Sequence, residues 1–204
     1  MPKQLEVWLL GAHVGSLMQV DGRLSFAYAA SWLAPSAVSG TSAMALSQSL
    51  PLQSEPFDER ATRPFFAGLL PEGEQRRLVA KALQASRQND FALLDGIGGE
   101  CAGAVTLLEP GQAFAAADSE PPAERVRWLD EPALQQLLAD MPQRPMLAGQ
   151  AGLRLSLAGA QDKLPVVVDG ARIGLPLDGM PSTHILKPPI AGIDGSVFNE
   201  AFCM

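Results

Sequence analysis

Apolar and polar positions change period along the chain, and the changes mark the elements. Residues 5–10 and 14–20 read as short strands, and Asp21-Gly22 supplies hairpin turn chemistry before a third strand at 24–29. Residues 42–47 read as a weaker, additional strand. Between 58 and 97 the spacing becomes helical. Phe65, Phe66, Leu69 and Leu70 form one apolar face that Pro71 ends. Residues 72–85 follow, with acids in the first turn and Arg76, Arg77 and Lys81 later, the order that complements the helix dipole. Leu78, Val79, Ala82 and Leu83 give that helix its apolar face. Asp90 is expected to cap a third, short helix through Leu94, which Gly96, Gly98 and Gly99 stop before a strand at 102–108.

The second half starts after a stretch rich in alanine and proline. Residues 109–125 carry Pro110, Gly111, Pro121 and Pro122 and read as an exposed linker between units at 1–108 and 126–204. Asp130 is a natural N-cap with Pro132 in the first turn behind it, and Pro142 ends that helix. Leu153, Leu155 and Leu157 then alternate with Arg154 and Ser156, a half-buried strand. Val166-Val167-Val168 and the turn signal Asp169-Gly170 predict a hairpin, and Ile185-Leu186 a last short strand. Ser196 is placed to cap a final helix holding Asn199, Glu200, Phe202 and Cys203. Short strands at hairpin spacing, rather than strands alternating with helices throughout, predict an α+β fold.

With 204 residues, 47% of them hydrophobic, the chain can bury one sizeable core or two small ones. A net charge of −7 argues against a large footprint on a nucleic-acid backbone. Cys101 and Cys203 lack metal-type spacing and read as buried free thiols, and His13 and His184 are too few for a zinc site. No apolar run is long enough to cross a bilayer and no leader pattern opens the chain, so a cytoplasmic location is expected. Trp8, Tyr28 and Trp32 read as packing residues.

The candidate chemistry lies between 156 and 187. Ala158-Gly159-Ala160 is a loop with almost no side-chain bulk, so backbone N–H groups can approach an anion closely. Lys187 ends a short apolar strand downstream. A flexible hairpin loop with a lysine on a later strand is the protein-kinase arrangement; Walker A and G-x-G-x-x-G patterns are absent. By pattern alone an ordinary surface loop and a solvated lysine remain open.

Three motifs decide further. The run from Ser156 to Lys163 (S-L-A-G-A-Q-D-K), Thr183-His-Ile-Leu-Lys187 and Asn199-Glu-Ala-Phe-Cys203 resemble successive motifs of the HipA family, bacterial serine/threonine kinases that form the toxin half of a toxin–antitoxin pair. The family loop reads S-x-A-G-A-Q-[ED]-K, with Asp162 here where glutamate is common. Leu69-Leu-Pro-Glu72 and Gly103-Ala-Val-Thr106 resemble the family's N-terminal portion. The resemblance implies a small sheet with packed helices followed by an incomplete kinase N-lobe of antiparallel strands. It implies that Ala158, Gly159, Ala160, Gln161, Asp162 and Lys163 lie over the phosphates of ATP, that Lys187 contacts them, and that Glu200 pairs with Lys187. Ser156 matches the family's autophosphorylated serine.

The resemblance further implies a Mg²⁺-dependent kinase acting on a protein, with glutamyl-tRNA synthetase as the family's target. Its partner is a helix-turn-helix antitoxin of the HipB type, through which alone it meets DNA. The catalytic aspartate and metal ligands are expected beyond Met204. This chain alone is therefore expected to be inactive, without a tightly bound cofactor. The alternative is a non-catalytic split subunit that completes or regulates a separately encoded kinase half.

Overall fold

The computed structural model describes residues 3–34, 43–101, 104–112, 125–143, 145–149, 153–159, 161–177, 180–190 and 193–198. The chain opens with the meander β1 (Lys3–Leu9), β2 (Ala12–Val20) and β3 (Arg23–Tyr28). Leu5 pairs with Leu17 and Leu17 with Phe26, so one inward row runs across all three strands. Asp21 and Gly22 both take positive φ (50° and 79°), the geometry whose twist suits a two-residue hairpin.

The expected strand at 42–47 does not form in its described part. Only an isolated bridge joins Ser47 to Leu50. Side chains satisfy this backbone instead: the Tyr28 hydroxyl donates to Leu50 O (2.6 Å) and accepts from Leu46 N (2.9 Å), and Trp32 Nε1 donates to Met44 O (3.1 Å). Trp32 comes from a short helix, α1 (Ala30–Leu33).

Three helices follow: α2 (Glu59–Ala67), α3 (Gly73–Ala82) and α4 (Asp90–Ile97). The cap of α4 is Asn89, not Asp90. Asn89 Oδ1 accepts from Ala92 N at 3.1 Å. One place further on, the Asp90 carboxylate is buried and held by Arg63 Nε (2.7 Å) and by the Arg76 guanidinium, so it ties α2 and α3 to α4. Two strands, β4 (Glu100–Cys101) and β5 (Val105–Leu108), then return the chain to the sheet beside β1. Gly98 closes α4 through its N–H to Leu94 O, the helix-stop role expected of this glycine pair.

Most of the expected linker at 109–125 lies outside the described residues. Beyond it come β6 (Val126–Leu129), α5 (Glu131–Asp140), a 3-10 turn at Pro145–Leu147, β7 (Leu155–Ser156), β8 (Leu164–Asp169), β9 (Arg172–Pro176) and β10 (His184–Leu186). Asp130 caps α5, its carboxylate accepting from Ala133 N at 2.9 Å. The second sheet has the order β10-β8-β9-β6, antiparallel throughout. The fold is thus α+β, as the strand spacing predicts.

One strand departs from the expected plan. The strand expected at 153–157 is two residues long, and it belongs to the first sheet, whose order is β3-β2-β1-β5-β4-β7. It pairs with β4 in parallel, Glu100 with Leu155 and Cys101 with Ser156. Alternation explains why it sits at a seam. Leu153, Leu155 and Leu157 enter the core of the second half with Leu137, Leu164, Val166 and Leu175. Ser156, on the opposite side of the strand, faces the first half. The first core is built around Phe26, Phe57, Phe66 and Phe91 with Leu5, Leu17 and Ile97. Each such side chain contributes about 1.5–3 kcal/mol on burial.

Candidate functional site

The loop expected to receive phosphates leaves β7 and is drawn back onto the turn between α2 and α3. Ser156 is fully buried, and its hydroxyl donates to Leu69 O at 2.7 Å. Gly159 forms a parallel bridge with Pro71, and its carbonyl accepts from Glu72 N at 3.2 Å. Asp162 Oδ1 accepts from Gln75 Nε2 at 2.8 Å. Lys163 folds back over the loop, and its Nζ donates to Ala158 O at 2.5 Å.

Glycine is required at 159 for two reasons. Its φ is +106°, a region that side-chain-bearing residues rarely enter, and a Cβ there would lie 2.6 Å from Lys163 Nζ. The described part of the loop therefore carries little side-chain bulk, and Lys163 closes back onto it.

Lys187 follows β10. The β10–β8 register pairs His184 with Val166, Ile185 with Pro165 and Leu186 with Leu164. The ladder ends at the Leu186–Leu164 pair, so Lys187 and Lys163 each lie one residue beyond the same end of the β8–β10 pair. Thr183 fixes this register from the other end of β10. Its N–H donates to Val166 O (2.9 Å), and its hydroxyl oxygen accepts from Val168 N (2.9 Å). His184 is exposed, with Nδ1 2.9 Å from the Thr183 hydroxyl, rather than packed as its place in an apolar strand suggests. Gln161 is half-buried beside the loop. Ala160 and Glu200 lie outside the described residues, as do Asn199 and Cys203.

Several groups that position the loop carry no chemical signature in sequence. Glu100 is buried in β4, and its Oε1 accepts from the Ser182 hydroxyl at 3.0 Å, tying the approach to β10 to the first sheet. Arg154 donates through Nε to Asp95 O at 2.8 Å. Burial pulls the Arg154 guanidinium below its ordinary pKa against the opposing pull of Asp95 and Glu109. Beside Ser156, burial and the neighbouring Glu100 push the Cys101 thiol up to about 12, so it is no nucleophile. Among the described residues, no three His, Cys, Asp or Glu side chains converge where a metal ion would be held, and no helix is long and apolar enough to cross a membrane.

Comparison with known proteins matches residues 5–108 to the family model described as the HipA N-terminal domain. The chain is 48% identical over 205 residues to a protein of Sinorhizobium fredii named putative kinase Y4mE, covering 98% of this chain and 46% of the relative. It is 29% identical over 180 residues to the serine/threonine-protein kinase toxin HipA of Shewanella oneidensis, covering 87% and 39%. Among solved structures it resembles a chain of the Shewanella oneidensis complex of HipA, HipB and operator DNA, with a TM-score of 0.67 and 26% identity over 92% of this chain and 41% of that one. The chain thus spans less than half the length of these relatives.

Proposed function

The chain belongs to the HipA family, and from that premise we propose that it is the N-terminal portion of a serine/threonine kinase toxin whose ATP phosphates lie between the loop at 158–163 and Lys187. The observation that supports the reading is the β8–β10 register, which ends one residue before Lys163 and Lys187, next to a loop whose Gly159 takes φ +106°. Two cations there offset the charge of the phosphates, and the bare backbone of the loop offers N–H donors. Magnesium, when bound, would supply the remaining charge neutralisation. We assign the catalytic aspartate and the metal ligands to the part of the family's length that this chain does not span.

Exposed apolar side chains support a docking surface for that other lobe. Ile185, Ile190, Ile193, Val197 and Phe198 are all exposed, Phe198 at 82%. The whole protein would phosphorylate a protein substrate. It would be restrained by a DNA-binding antitoxin, as the HipB in the related complex suggests.

Ser156 is the regulatory residue in this reading. A phosphate on it would bring about −1.5 to −2 charges against the Leu69 carbonyl in a buried site. The loop must therefore leave its place before Ser156 is modified, and the modified residue cannot return. Arg154, two residues away on the same side of the strand, is positioned to pair with the phosphate once the loop is out.

The test is phosphate transfer. Residues 1–204 alone should incorporate no phosphate from Mg²⁺-ATP, and robust incorporation overturns the division of labour proposed here. In the complete protein Lys187→Ala should remove most kinase activity with the fold intact. Turnover near that of the wild type would remove Lys187 from the site.

A further inference from the structure

The Leu69-Leu-Pro-Glu72 turn joins two helices of the first half and contributes nothing to the chemistry assigned above, yet the loop is fastened to it. Ser156 bonds Leu69, Gly159 bonds Glu72, and Asp162 bonds Gln75. In each pair the two residues are 87 positions apart. The three contacts follow in the same order along both segments, so the loop lies along the turn and the first turn of α3. Beyond the two β4–β7 pairs, the isolated bridge between Pro71 and Gly159 is the backbone contact that holds this segment to the turn.

We propose that the turn from Leu69 to Gln75 is the seat of the loop, and that the Gln75–Asp162 hydrogen bond is the clasp holding the loop in its nucleotide-receiving position. Gln75 and Asp162 are thereby positioning residues. The inference rests on the reading of the loop as the phosphate-covering segment. A loop of alanine and glycine has almost no side chain to anchor it. Ala158 is exposed, and Gly159 reaches the turn through its backbone alone. The clasp is the side-chain contact between the loop and α3, and it ends on a carboxylate, the stronger kind of acceptor.

The clasp also disposes of a charge. An Asp162 carboxylate released beside bound phosphates would repel them, whereas Gln75 holds it toward α3. Gln75 is the third residue of that helix, whose first turn favours a negative acceptor nearby. The helical half of the chain thereby acquires a function. It sets how long the loop stays seated, and so how readily Ser156 becomes accessible.

The experiment is a double-mutant cycle read by amide hydrogen exchange over residues 153–166 of the complete protein. Gln75→Ala and Asp162→Ala should each speed exchange of the loop amides about tenfold. The double variant should be no faster than either single, because all three lack the same bond. Asp162→Asn, which keeps a weaker acceptor for Gln75, should exchange more slowly than Asp162→Ala. Unchanged exchange in both single variants overturns the clasp, and so does a double variant whose factor is the product of the two. Adding Mg²⁺-ATP separates the clasp from the reading beneath it. If the cycle behaves as expected but ATP protects no loop amide, the clasp stands and the phosphate role falls. If ATP protects the loop while the cycle is flat, the clasp alone falls.

Discussion

The two sheets are held by different kinds of core. The six-stranded sheet rests on rings: Phe26 packs edge-on to Tyr28 at 4.8 Å and against Phe66 at 5.5 Å, and Phe66 meets Phe65 at 5.1 Å. The four-stranded sheet has an aliphatic core of leucines, Val166 and Met141, without a buried ring among the described residues. Its edge strand β10 is three residues long and exposes Ile185. The first half also carries the Arg63–Asp90–Arg76 tie between its helices, whereas the second depends on hairpin register. A platform fixed by large rings and by two arginines on the buried Asp90 carboxylate therefore supports a thinner, aliphatic sheet. The two cores meet at β7, which pairs with β4 and sends its leucines into the second core.

The largest test of this contrast compares two truncations. Phe66→Ala should cost about 3–5 kcal/mol and Leu164→Ala about 2–5 kcal/mol, both from fully buried positions. Chemical denaturation measures the totals, and site-resolved amide exchange shows where the loss falls. Phe66→Ala should weaken protection in both halves, because β7 is an edge of the first sheet. Leu164→Ala should weaken the β8–β9 hairpin and leave β1 to β3 protected. Equal spread of both losses would make the molecule one undivided cooperative unit.

A smaller and more local effect is expected at the loop. Gly159→Ala forces a side chain into φ +106° and against Lys163 Nζ, a strain of about 1–3 kcal/mol. It should loosen the loop and lower phosphate affinity with little change in the exchange of β1 to β3. Unaltered loop exchange would show that the glycine geometry is not needed.

The smallest effect tests the joint itself. At neutral pH a thiol whose pKa is raised to about 12 is almost entirely protonated, and Cys101 is buried as well. Labelling of Cys101 by a thiol reagent should therefore track separation of β7 from β4. It should be far slower than labelling of the unfolded chain. Rapid labelling of the native protein would mean that the joint opens freely.

How much of this was legible beforehand follows from how local each signal is. The Asp21-Gly22 turn, the Asp130 cap and the alternating leucines around Ser156 depend on neighbours within a few residues, and all are found. The second hairpin also forms, with its turn at Gly170-Ala171 because Asp169 still pairs with Arg172. The cap of α4 lies one position before the residue expected, because Asn89 and Asp90 are both good capping residues. Only the arginines of α2 and α3, far away in sequence, select Asp90 for burial. The strand expected at 42–47 had the right composition, but Tyr28 and Trp32 took its backbone groups. The loop and Lys187 were marked by their motifs. Their seat on residues 69–75 was not, because a pairing 87 residues long has no period that a single sequence displays.

The parallel pairing of β4 with β7 also has a consequence during synthesis. β4 leaves the ribosome about 55 residues before the strand that covers its edge. At ordinary elongation rates that interval is roughly 3–11 s, far longer than hairpin closure. For that time the nascent first sheet presents an open rim. The rim is only two residues long and carries the carboxylate of Glu100, features that discourage a neighbouring chain from pairing there. Among the described strands β7 is thus the last to join the first sheet, and its arrival covers the open edge of β4.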